Sequence, residues 1–254
     1  MSGFGAFLAK ERLEILRTWR IWVIPGMLVF FAVTSPIIAL VTPALLGSLA
    51  GSEPGMVIQI PDPTALDAYG QFLKNLSQLV ILAVVIAGAG TVSAERSSGT
   101  AILVLTKPVS RAAFVLAKLA SHLGLLVVST AVAALITLVV TRALFPPIPA
   151  MPLFGAVALW LVHAALLVSA MTFFSVVFPS RGGAAGAGLA FFFGTLILAI
   201  WPVATRYSFI GLPGGVGAVV RSAPYAATWP VVTGVVAIVA FAIAAVWAFR
   251  RQEL

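Results

Sequence analysis

The sequence contains no cysteine, which excludes disulfide staples, thiolate metal sites and a cysteine nucleophile. It has two histidines, His122 and His163, too few and too far apart for a recognisable metal pattern. Acidic residues number seven against fifteen basic ones. No HExxH or GxSxG motif occurs, and no GxxxxGK[ST] phosphate loop. Gly183 to Gly188 has the glycines, but Leu189-Ala190 stand where a lysine and a hydroxyl are needed. An intramembrane hydrolase would need paired acids, or a nucleophile with a base, and neither set is apparent. Catalysis, a cofactor and a metal are therefore not expected in this chain.

What the sequence has in abundance is apolar surface. Of 254 residues, 61% are hydrophobic and 9% charged, with a mean hydropathy of +1.14. Ordinary soluble domains run at about 45–50% apolar and about 25% charged, so the composition predicts an all-α integral membrane protein. A bilayer core needs about 20 apolar residues per helix. Pro, Gly and charge clusters divide the chain into six such runs forming a single transmembrane domain, residues 1–254. The net charge of +8 would suggest nucleic acid in a soluble protein. Here the basic residues flank spans, so no nucleic-acid partner is expected and membrane orientation accounts for them.

Residues 4–18 predict an interfacial amphipathic helix, with Phe4, Leu8, Ile15 and Trp19 on one face and Lys10, Glu14 and Arg17 on the other. The first twenty residues do not read as a removable signal peptide. The spans are expected at about 21–41, 76–92, 111–141, 153–178, 184–204 and 231–249. Thr34-Ser35 can serve backbone groups freed at Pro36 inside the first. Residues 206–227 are Gly/Pro-rich yet apolar, which predicts an external re-entrant segment. With both termini inside, eleven Lys and Arg residues fall inside and four (Lys74, Arg142, Arg206, Arg221) outside. The positive-inside rule then places both termini in the cytoplasm of a multi-pass cell-membrane protein.

The stretch from Glu95 to Lys118, ERSSGTAILVLTKPVSRAAFVLAK, lies between the second and third spans. Gly99 can end the arriving helix. Thr100 to Leu105, with Leu103 inside it, allows one or two turns before Lys107-Pro108 stops them. Ser110 is an N-cap for a helix restarting at Arg111. A short apolar helix between two breaks, flanked by basic residues, is a docking element.

The motif around that element resembles the signature of permease subunits of type-2 ABC exporters, particularly the NosY/NatB-like group. The matching positions are Glu95, Arg96, Gly99, Thr100, Pro108, Val109, Ser110, Arg111, Lys118 and Leu119. The resemblance implies that residues 95–110 form a cytoplasmic coupling helix seated on a separate ABC ATPase, present in two copies and carrying the ATP and Mg. It also implies a second permease subunit, identical or similar. Glu95 and Arg96 would orient the junction, while Lys107, Arg111 and Lys118 would meet acidic surface on the ATPase. The expected function is ATP-driven export of a hydrophobic or amphipathic molecule such as a drug, lipid or peptide, as in multidrug efflux.

His163 is the one ionisable residue placed near the middle of a span, and with Ser169 and Thr172 it is a candidate pathway lining. The ordinary expectation for it is a neutral imidazole bonded to a facing carbonyl or hydroxyl. Gly182, Gly183, Gly186 and Gly188 form small-xxx-small pairs that predict close helix packing. Two other functions remain open from the residues. A secondary transporter or channel would show inverted repeats with matching broken helices and several intramembrane charges, and the sequence shows neither. A non-transporting assembly subunit would use the same cytoplasmic contact.

Overall fold

The computed structural model describes residues 5, 8, 20–50, 61–97 and 110–252. These residues are helical with short connections and contain no strand. Six helices are long and apolar enough to cross a membrane: Trp22–Gly47, Ala65–Glu95, Arg111–Leu144, Met151–Val177, Arg181–Leu198 and Thr228–Arg250. Apart from Gly5 and Leu8, the interfacial helix expected over 4–18 lies outside the described residues. So do Gly99, Thr100, Leu103, Lys107 and Pro108.

Helix α1, Arg20–Ala50, holds Pro25, Pro36 and Pro43 inside it. Each proline leaves the carbonyl four residues earlier without its helical donor. Thr34 Oγ1 donates to the Phe30 carbonyl at 2.8 Å, not to the Ala32 carbonyl that Pro36 frees. Ser35, expected to help there, instead accepts from Asn75 Nδ2 at 3.0 Å and ties the first span to the second.

The second span starts at Ala65 rather than Leu76. Thr64 and Asp67 form a capping box: Asp67 Oδ2 accepts the Thr64 N–H at 2.8 Å, and Thr64 Oγ1 accepts the Asp67 N–H at 3.4 Å. This box turns the end of the polar connection into helix α2, Ala65–Asn75. A π-helical turn, Leu76–Val80, leads to α3, Ile81–Gly88. Residues 89–92 form a turn before the short α4, Ser93–Ser97.

Helix α5, Arg111–Leu144, has 34 residues. At about 1.5 Å per residue it is about 51 Å long, well beyond a hydrocarbon core of about 30 Å. Helices α6 (Met151–Val177) and α7 (Arg181–Leu198) follow. The fifth span ends at Leu198, short of the expected Ala204, because Ile200-Trp201 leave the helix and Pro202 opens a new one. Segment 202–220 is a run of short pieces: α8 (Pro202–Tyr207), a 3₁₀ turn (Phe209–Gly211) and α9 (Leu212–Val220). Ser222, at φ 54°, closes α9 in a Schellman pattern, with Ala223 N–H on the Ala218 carbonyl and Ser222 N–H on that of Val219. The last span is α10, Thr228–Arg250.

Helix α6 is the hub, packing against α3, α5, α7, α9 and α10. In its most apolar stretch 61% of residues are buried, against 17% for the fifth span and 11% for the sixth. Leu153, Trp160, Leu166, Leu167 and Met171 of α6 are in the main core.

Candidate functional site

The first residues that bear on function lie where α4, α5, α6 and α10 meet. Ser110 caps α5, accepting the Ala113 N–H at 3.1 Å, and this fixes where the third span begins. Two turns on, Lys118 Nζ donates to Glu95 Oε1 at 2.5 Å. The two side chains are 4% and 15% exposed. The ammonium also lies 5.1 Å from the centroid of the Phe114 ring, which stacks on Phe249 of α10 at 5.2 Å. Lys118 is therefore an internal tie between α5 and α4. Arg111 is engaged too: its guanidinium donates to the carbonyls of Arg250 (3.1 Å) and Gln252 (2.7 Å). Gln252 Nε2 in turn donates to the Val176 carbonyl at 2.8 Å, fastening the C-terminal residues to α6. Leu8 packs on the same cluster of Val92, Phe114, Val176 and Phe249.

From the sequence, Ser175 continues the loosely polar side of the fourth span begun by Ser169 and Thr172, a cue to a pathway lining; in the structure its hydroxyl is bonded to the second span. Where the second span breaks after Gly88, the Val92 and Ser93 N–H groups turn toward α6, and Ser175 Oγ accepts both, at 2.9 and 3.0 Å. The same oxygen lies 3.0 Å from the Ala89 carbonyl, to which it donates. One buried hydroxyl thus does what a helical carbonyl would do, and it comes from another span. The break is packed closely above this point. A Cβ on Gly88 would sit 2.7 Å from Met171 Cβ, and one on Gly188 2.0 Å from Met171 Sδ. Met171 thus fills a slot between two glycines of different spans. Gly182 and Gly186 face open space, and Gly183 lies near Phe178 and its own cap Ser180.

His163 lies mid-way along α6, only 4% exposed. Its Nδ1 is buried and finds no carbonyl or hydroxyl among the described residues, contrary to the ordinary expectation for it. It faces a cavity against α7 and segment 205–226. Ser169 and Thr172 are not on that wall; their hydroxyls donate to Ala165 and Val168 carbonyls in their own helix. No group of three or more His, Asp or Glu among the described residues is placed to hold a metal ion.

The family profile described as "ABC-2 family transporter protein" matches residues 6–209, most of the chain and all of the inner cluster except its C-terminal partners. The chain belongs to the ABC-2 transporter family. A Bacillus subtilis (strain 168) relative, described as "Uncharacterized transmembrane protein YxlG", is 21% identical over 263 aligned positions. That alignment covers 100% of this chain and 99% of the relative, so both have the same extent. For an ABC-2 family member the six spans make a multi-pass membrane component of a transporter, a transport subunit rather than an enzyme.

Proposed function

We propose that this chain is the permease subunit of an ATP-driven exporter, moving a hydrophobic or amphipathic molecule while a separate ABC ATPase, with its ATP and Mg, hydrolyses nucleotide. Two copies, or one copy with a similar permease, would pair with two ATPase subunits. Both termini and residues 95–110 would be cytoplasmic, and segment 206–227 would dip back into the bilayer from outside.

The observation that carries this reading is the tie between Glu95 and Lys118. A loop serving topology alone has no need to lock its two ends together by a buried charge pair. A lever does, because a push on residues 96–109 must reach both flanking spans without dissipating in the loop. In this reading Arg96 and Lys107 would meet the ATPase, while Arg111 and Lys118 make bonds within the chain.

The test is co-purification of tagged chain from its native host. An ATPase subunit retained by the wild type and lost on Arg96→Glu with Lys107→Glu is the expected result. A chain that purifies without any nucleotide-binding partner, unchanged by the double reversal, would remove the basis for this reading.

A further inference from the structure

The cavity beside His163 has a volume of about 870 Å³ and lies between mid-α6, the C-terminal half of α7 and segment 205–226. Small-molecule sites commonly fall at about 300–1,000 Å³. Its walls are apolar, built from Leu166, Leu167, Leu196, Phe209, Ile210 and Pro213. Three hydroxyls on the wall have committed their hydrogens. Thr195 donates to the Phe192 carbonyl (2.6 Å), Thr205 to that of Pro202 (3.0 Å) and Tyr225 to that of Gly211 (2.9 Å). The groups left to receive a ligand are His163 and Arg206.

Both are short of partners. Buried polar atoms are nearly always paired, yet His163 Nδ1 is buried with nothing bonded to it among the described residues. A neutral imidazole has one donor and one acceptor nitrogen, so it can serve either sense of hydrogen bond. Arg206 is exposed on α8, stacked over Tyr207 at 5.4 Å. The acids among the described residues are Asp62, Asp67 and Glu95. None of them lines this cavity; Asp67 is taken up by Thr64 and Glu95 by Lys118. The cavity therefore offers a cation, an apolar body and, within α6, a hydrogen-bonding ring.

We propose that this cavity binds an amphipathic organic anion, with its charge on Arg206, its apolar body along the α6–α7 wall and a polar atom at His163. A cationic amphipath would be repelled by Arg206, and a plain hydrocarbon would leave His163 unpaired. The proposal rests on the permease reading only for its meaning as a cargo site; the binding itself requires no ATPase.

The probe is 7-hydroxydodecanoate carrying a diazirine at its chain end, its hydroxyl supplying the polar atom for His163, photolysed with the full chain in phosphatidylcholine nanodiscs, retaining any ATPase that co-purifies. Label is expected on peptides from 153–178 and 195–226. Unlabelled dodecanoate should compete, and dodecyltrimethylammonium should not. Arg206→Gln should weaken the apparent affinity about tenfold or more, as expected for loss of a charge-assisted contact. His163→Leu should weaken it about threefold, and Arg221→Gln, a cation outside this cavity, should leave it unchanged. If His163→Leu fails to fold, the exposed Arg206 decides alone. Equal competition by the ammonium, or labelling indifferent to Arg206→Gln, would overturn the proposal. Labelling that vanishes when phosphatidylglycerol replaces phosphatidylcholine would support the same anion site and name an anionic bilayer lipid as its occupant. Because no step uses ATP, a failed ATPase co-purification leaves this result intact, and a negative result here leaves the ATPase question intact.

Discussion

Lys118 and Glu95 are twenty-three residues apart in sequence and 2.5 Å apart in space. Breaking a buried pair by removing one partner leaves an uncompensated charge and costs about 3–5 kcal/mol. Lys118→Met and Glu95→Leu should each lower the melting temperature of the purified protein. The double variant should recover much of the loss, since an apolar pair often replaces a buried ion pair at little cost. Additive losses in that cycle would show that the two residues do not act as a pair.

Ser175→Ala removes the acceptor of two backbone N–H groups. Each buried donor left unsatisfied costs about 1–3 kcal/mol. Amide hydrogen exchange at Val92 and Ser93 should accelerate well beyond that of α5, while Ser169→Ala, whose hydroxyl bonds within its own helix, should leave both amides unchanged. Equal protection in the Ser175 variant would mean that the turn does not depend on that hydroxyl.

The Met171 slot allows a sharper comparison. Gly188→Ala meets the flexible end of Met171, Sδ and Cε, whereas Gly88→Ala meets its Cβ, which cannot turn aside. Overpacking costs about 1–3 kcal/mol, and Gly88→Ala should lie at the upper end. Adding Met171→Ala should relieve Gly188→Ala and fail to relieve Gly88→Ala. Thermal stability of the four variants decides it.

Arg111→Gln should loosen the C-terminal residues without unfolding the bundle. The expected sign is faster trimming by carboxypeptidase, strengthened when Gln252→Ala also removes the bond to the Val176 carbonyl. A tail that resists digestion in the double variant would show that other contacts hold it.

The six spans were legible because each is a long apolar run bounded by Pro, Gly or charge, and Ser110 was legible as a cap because capping is local chemistry. The start of the second helix was not. Asp67 and Lys74 made residues 65–75 look like loop, while the Thr64–Asp67 box that makes them helical is a two-residue signal inside a polar stretch. The partners of Lys118, Ser175 and His163 were out of reach for a different reason. Each depends on which faces of separate helices meet, and α6 has an apolar pattern nearly all the way round. A serine or histidine on such a helix announces that something polar is needed but not what lies opposite. One faint signal was present: Arg206, one of two basic residues in an otherwise apolar segment and the one that lines the cavity beside His163.

Ser175 and His163 belong to one continuous helix, twelve residues apart, or about 18 Å along its axis. At one station that rod is bolted to the break preceding residues 96–109; at the other it borders the cavity. Any tug that drags Val92 and Ser93 would have to move the rod or shear the bolt. On the permease reading, cargo seated against the imidazole would feel the first and be blind to the second, so the Ser175 hydroxyl would be one of the teeth that keep the two ends in gear.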